Sequence, residues 1–261
     1  MKKVISCFLS VLILTSVFAG AAETSPRLVE QSIDDQLMTE MREEIRGLEQ
    51  AGDIEGAIYR IVEFYDLVGV HDDAFASLAL QIVDIKEAMP AFMTADVESQ
   101  VEVIENILSR TYSVSYDAWS ELTFAEKTLV ITMPSAAVQD NACREWAYNT
   151  TESYYNRNGS GDVSDAFRHA YWNALMEFQM NETIAKQFAD AHEQKGSSYM
   201  SKVFSCGYTG QQHTDMDLHN NQMGRDACTS NLKTYEAVMN AVLNSIRSGD
   251  HMTIHADFNC T

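Results

Sequence analysis

Apolar residues recur along this chain at three- and four-residue spacing, which predicts an all-α protein. Residues 24–125 read as helix with little interruption. From Gln31 to Gln50 the apolar positions are Ile33, Leu37, Met38, Met41, Ile45 and Leu48. Ala51-Gly52-Asp53 breaks that stretch, and Asp53 is placed to cap a second helix with Ile54, Ala57, Ile58, Ile61, Val62 and Tyr65 on its apolar face. A third helix is expected from Asp72 to Met89, stopping at Pro90, which cannot continue it. A fourth is expected from Ala95 to Leu108. Residues 23–115 therefore read as helical hairpins, a scaffold or a surface for a protein partner.

A second helical region is expected over 120–261, after a connector at Thr111–Ser120. Thr123 and Glu126 have capping-box spacing and predict a helix from Phe124 to Thr132. Pro134 ends that helix or opens the next at its first turn, and Ala136–Tyr155 keeps an approximate apolar face. Asn156-Arg-Asn-Gly-Ser-Gly-Asp162 is the strongest turn signal in the chain. Helices are expected again over Val163–Met180 and Glu182–Glu193, followed by a loop from Lys195 to Gly210.

The stretch from Asp162 to Arg225 holds the candidate chemistry. On a helix, Asp165, His169 and Asn173 are spaced i, i+4, i+8 and form one polar stripe. Such an Asp/His pair can share a metal ion, or fix a His tautomer by a hydrogen bond. Trp172 within the stripe argues against a solvated face. His192, one turn after Phe188, is expected to face inward as a ligand or as a hydrogen-bonded core residue. His213, Asp215, Asp217 and His219 alternate, so in an extended segment they share one face. Asp217 and His219 then suit metal ligation or an acid/base dyad, while Asn220, Asn221 and Arg225 can orient an anionic or carbonyl oxygen.

The chain start changes the expected compartment. Lys2-Lys3, an apolar run from Val4 to Phe18 and Ala19-Gly-Ala-Ala22 form a secretory signal pattern over 1–22, too short for a comfortable membrane span. The expected location is secreted or periplasmic. Cys143, Cys206, Cys228 and Cys260 would remain, and four cysteines in an exported chain favour two disulfides. None has the CxxC spacing of a zinc–thiolate site. The formal charge of -20 becomes -22 when Lys2 and Lys3 leave, since no acidic residue precedes Glu23. Such a surface repels polyanions and argues against nucleic-acid binding.

Three motifs are specific as a set: Asp165-Ala-Phe-Arg-His-Ala-Tyr-Trp-Asn-Ala-Leu-Met176, Phe188-Ala-Asp-Ala-His-Glu193, and Met216-Asp-Leu-His-Asn-Asn221 with Gly224-Arg225. With Leu122–Val130 and Asn141 as lead-in, residues 120–230 resemble a bacterial family of domains of unknown function. The family recurs in secreted and cell-surface proteins with unrelated N-terminal regions. The resemblance implies a domain identity and bacterial origin, and no catalytic assignment. Upstream, Ala51–Ile58 with Tyr65 resembles the second-helix start of a tetratricopeptide repeat, without a clean second copy. Arg168-His169 is weakly similar to the Arg-His-Asp of prokaryotic secreted phospholipases A2, but Ala170 stands where their aspartate would.

These readings lead to two expectations from different classes. One is a metal-dependent hydrolase of a phosphoester or phospholipid-type substrate. In it Asp165, His169, His192, Asp217 and His219 would hold zinc, manganese or calcium. His169 would also act in catalysis, Glu193 or Asp190 would accept a proton from the bound water, and Asn173 or Arg225 would hold the developing oxyanion. The other is a metal-free binding module, its polar clusters knitting helices together and its N-terminal helices docking a partner. A metal-free acid/base enzyme built on a His–Asp pair is a third.

Overall fold

The computed structural model describes residues 35–70, 72–110 and 114–254. The expected leader, Ile33 and Cys260 lie outside them. Twelve α-helices and one 3-10 turn make up these residues, and no strand occurs among them, so the protein is all-α.

The N-terminal helices are α1 (Asp35–Gln50), α2 (Ile54–Leu67), α3 (Asp73–Ala88) and α4 (Val97–Ser109). Asp53 caps α2 as expected, and Asp72 and Asp96 do the same for α3 and α4; each accepts a hydrogen bond from the backbone N–H three residues on. The connector at 111–120 is in part a helix, α5 (Val114–Ser120), because Trp119 is fully buried and ties the segment into the core. Helix α6 (Phe124–Thr132) begins with the capping box of Thr123 and Glu126. Pro134 occupies the first turn of α7 (Pro134–Tyr155), which ends on left-handed Asn156.

Helix α8 (Val163–Gln179) is the centre of the molecule. It packs against α7, α9 (Glu182–His192), α11 (Gly210–Ala227) and α12 (Tyr235–Ser248). Its apolar face, Phe167, Ala170, Tyr171, Ala174 and Leu175, is buried, but so are Asp165, His169 and Asn173 on the other side. Short α10 (Ser197–Ser201) lies in the loop before α11.

Two features lock this arrangement. Gly224 of α11 crosses α8 so closely that an added Cβ would sit 2.0 Å from the Ala170 carbonyl oxygen. Arg42 and Arg46 of α1 donate to the carbonyls of Phe178 and Gln179, both at 3.2 Å, satisfying acceptors that the end of α8 leaves open. The N-terminal helices thus share a core with the rest, joined also by Tyr65, Trp146 and Tyr235. No helix among the described residues is long and apolar enough to cross a membrane.

Two expectations need correction here. Cys143 and Cys228 are free thiols, so two disulfides are not made among the four cysteines. Cys143 lies instead in the core, its Sγ 3.1 Å from the Tyr65 hydroxyl. The segment His213–His219 is not extended: it is the first half of α11. Thr209 and Gln212 form a capping box that starts this helix, and residues two apart on a helix point in widely different directions.

Candidate metal and acid–base site

The helical form of α11 creates a polar stripe that an extended strand would not have. Asp217, Asn221 and Arg225 are spaced i, i+4, i+8, as Asp165, His169 and Asn173 are on α8. The stripes lie side by side and run the same way. His169 meets Asp217 and Asn221, and Asn173 meets Asn221 and Arg225.

The distances define a tight cluster. His169 Nε2 is 3.6 Å from Asp165 Oδ1 and 3.4 Å from Asp217 Oδ1. One ligand-capable atom from each of Asp165, His169 and Asp217 lies within 4.8 Å of the others. Glu193, at the end of α9, brings Oε1 to 3.9 Å from His169 Nδ1. Asp165 and Glu193 are buried, and the Asp217 side chain is 13% exposed. Neither Asp217 Oδ1 nor Glu193 Oε1 has a hydrogen-bond partner.

The loop before α8 holds Asp165 in place. Asp162 caps the helix through the N–H groups of Ser164 and Asp165, at 2.9 and 3.1 Å, and receives Arg157 at 3.0 Å. Gly161 N–H donates to Asp165 Oδ2 at 2.6 Å, and Arg168 donates to Oδ1. Gly159 is required because a Cβ there would collide with the Asp162 carboxylate at 2.4 Å. The chain after α12 closes over this loop, with Ile254 N–H donating to the Gly161 carbonyl at 2.8 Å.

Three carboxylates thus face one guanidinium and one imidazole in a poorly solvated space. Burial and then the Asp165 carboxylate push the Asp217 carboxyl well above its ordinary range. Burial also raises Glu193, to about 7; nearby His169 opposes the shift, and Asp217 and Asp165 add to it. Tyr199 is raised to about 12 by burial, then by Asp217, Glu193 and Asp165. A carboxyl displaced this far at the edge of a cleft, as Glu193 is, is a common mark of a functional site. The cleft has a volume of about 760 Å³, and its lining includes Glu193, Lys186, Lys195, Met200, Thr214 and Leu218.

The structure does not bring every expected residue here. His192 turns to α6, where its Nδ1 meets Glu126 Oε1 at 2.8 Å, with Trp172 edge-on at 5.5 Å between ring centres. Trp172 donates to Asp140 at 3.0 Å. This buried layer explains the aromatic in the α8 stripe. His219 points away, its Nε2 2.7 Å from the Asp250 carbonyl oxygen. His192 and His219 therefore fall outside the cluster of Asp165, His169 and Asp217. Asp190 lines the cleft but stands outside the cluster, paired with Lys186. Asn220 is also outside the cluster, bonded at 2.9 Å to both the N–H and the carbonyl of Met252. Arg225 is buried against Asn173 and Gln222 rather than aimed at the cluster.

Sequence reasoning missed the Glu126–His192 pair, Asp140, Tyr199 and Lys195. Glu126 was legible only as a capping residue. The local signal that places Asn221 on a helix is the Thr209/Gln212 capping box.

With this geometry in hand, comparison with known proteins adds one finding. Residues 127–250 match the family model described as "Domain of unknown function (DUF6973)". This region is thus similar to DUF6973 domains. The site helices α8, α9 and α11 all lie within it, while α1 to α5 precede it. The expected resemblance to a domain family of unknown function is thus borne out. No curated protein and no solved structure matches the chain.

Proposed function

We propose that the DUF6973-like domain of this protein is a metal-dependent hydrolase in which Asp165, His169 and Asp217 hold one divalent cation. The observation that carries this reading is the buried meeting of the three side chains, each offering one atom within 4.8 Å of the others. Asp217 Oδ1 is buried without a hydrogen-bond donor, a costly state that a cation would relieve. Mixed nitrogen and oxygen donors suit zinc or manganese better than calcium, which favours all-oxygen sites.

A cation held there would supply a bound water that ionises near neutral pH. Glu193 sits beside the cluster and lines the cleft, so it is placed to take the proton. Lys195 is half-buried on the cleft wall and can hold an anionic group, while Met200 and Leu218 offer apolar surface. This supports a phosphoester substrate with an apolar portion, such as a phospholipid. The N-terminal pattern of residues 1–22 supports export to the periplasm or beyond.

The non-catalytic alternative has one observation in its favour. Asn173, Asn221 and Arg225 bond to one another and join α8 to α11. The test is calorimetric titration of chelator-treated full chain with zinc and manganese, alongside hydrolysis of bis(p-nitrophenyl) phosphate. One ion per chain is expected, with turnover that disappears on chelation and returns with metal. His169→Ala and Asp217→Asn should each weaken ion binding at least 100-fold. Equal binding by these variants and the wild type, with no metal-dependent turnover, would leave the binding-module reading.

A further inference from the structure

We infer that Arg225, Asn173 and Asn221 form a one-directional hydrogen-bond chain that fixes the tautomer of His169 and aims the lone pair of its Nε2 at the two aspartates. The argument starts from groups whose roles are chemically forced. A guanidinium only donates, so the group that Arg225 Nη1 meets on Asn173 must be the carbonyl oxygen Oδ1. A backbone carbonyl only accepts, and the His169 carbonyl lies 3.1 Å from the other end of the Asn173 amide, which must therefore be the donor Nδ2. Both ends of Asn173 are thus assigned without reference to its neighbour.

Asn173 Nδ2 also lies 2.7 Å from one end of the Asn221 amide. That end must accept, so it is Asn221 Oδ1; a flipped amide would set two donors face to face. The same oxygen is 3.2 Å from His169 Nδ1. His169 Nδ1 must then carry the proton, and in the neutral ring Nε2 is left as the acceptor. Nε2 is the atom that faces Asp165 and Asp217, at 3.6 and 3.4 Å. A lone pair directed at these two side chains is placed for a shared cation.

Asn221 Nδ2 is buried with no partner. Rotating the amide would present that group to the ring nitrogen, but only against Asn173 Nδ2. The chain therefore holds Asn221 in an orientation that leaves one of its own donors unused. Such outer hydrogen bonds orient metal-binding imidazoles and raise their basicity. Asn173, Asn221 and Arg225 are positioning residues in this scheme. The tautomer stands apart from the metal reading, and its use as a ligand rests on that reading.

Two isosteric substitutions separate this scheme from simple packing. In Asn221→Asp the new carboxylate accepts from both Asn173 and His169, so the Nδ1–H tautomer should persist. In Asn173→Asp the amide donor is lost, Asn221 is free to rotate and donate, and His169 should move to the Nε2–H form. The readout is long-range proton–nitrogen NMR of the His169 ring in metal-free full chain at pH 8, with circular dichroism to verify folding. Asn173→Asp should also weaken zinc binding by roughly 10- to 100-fold. A wild-type ring protonated at Nε2 or at both nitrogens would overturn the inference, as would an unchanged tautomer in folded Asn173→Asp. Should Asn173→Asp fail to fold, the wild-type ring and Asn221→Asp decide alone, and loss of Nδ1–H in the latter would be equally fatal. A correct tautomer with no zinc binding would refute the hydrolase proposal and leave the chain of bonds standing.

Discussion

Gly224→Ala tests whether the crossing of α8 and α11 creates the site. In an exposed helix interior this change gains about 1 kcal/mol from helix propensity. Here the new Cβ would lie 2.0 Å from the Ala170 carbonyl oxygen, against the 3.4 Å at which ordinary contact begins. The helices must separate locally by about 1.4 Å, the difference between those two distances. The obstacle is backbone, so no side chain can swing aside. Overpacking of this kind costs about 3 kcal/mol at the upper end of its usual range. Net of the propensity gain, the loss is about 2 kcal/mol, or roughly 4–8 °C in melting temperature for a chain of this size. Gly47→Ala is the matched control, because Gly47 is exposed on α1 with nothing within 4 Å of an added Cβ. It should melt at or slightly above the wild-type temperature. The assay is thermal unfolding followed by circular dichroism at the helix band. Separation of the helices should also loosen His169 from Asp217 and weaken zinc binding. Gly224→Ala melting at or above wild type, with unchanged zinc affinity, would refute the argument.

Glu193→Gln should keep zinc binding within a few-fold but lower turnover by roughly 100-fold or more, as expected for loss of a general base. In chelator, the raised Glu193 carboxyl makes the wild type lose stability as pH rises from its ordinary value towards about 7. The stability of Glu193→Gln relative to wild type should therefore grow over that interval and level off above it, as read by urea unfolding at a series of pH values. Glu126 is opposite in sign. Burial works to raise it, but the hydrogen bond with His192, its charge and the Thr123 N–H together hold the carboxyl at about 2. Its contribution is complete above the ordinary carboxyl range and disappears as pH falls through about 2. The deficit of Glu126→Gln should accordingly be present at neutral pH and vanish in strong acid, and a deficit independent of pH would count against it. Lys195→Ala should raise KM for an anionic ester more than it lowers kcat, and an unchanged KM would remove Lys195 from substrate binding.

Local chemistry was enough to read most helices from the chain. Asp53, Asp72 and the Thr123/Glu126 box each act within four residues, so their effect is visible in sequence. Pro134 and the 156–162 turn are similarly local. The stripe of Asp165, His169 and Asn173 was also legible, because helical periodicity alone puts those residues on one side. What the sequence could not decide is which surface that stripe meets. His192 looked equivalent to His169 as an inward imidazole, yet Glu126 from a helix 66 residues away captures it. The alternating His213–His219 pattern invited an extended reading, but the Thr209/Gln212 capping box just before it makes it a helix instead.

Partner choice of this kind depends on interaxial packing, and here that packing hangs on the absence of one side chain at Gly224. Sequence therefore determined an all-α chain, the approximate bounds of most helices up to α9 and one half of a polar site. Tertiary structure decided that α11 supplies the other half, because only the close crossing of α8 and α11 sets their i, i+4, i+8 stripes in register. The free energy of a buried carboxylate or imidazole is fixed by what lies within a few ångströms in space, and neighbours in space are not neighbours along the chain.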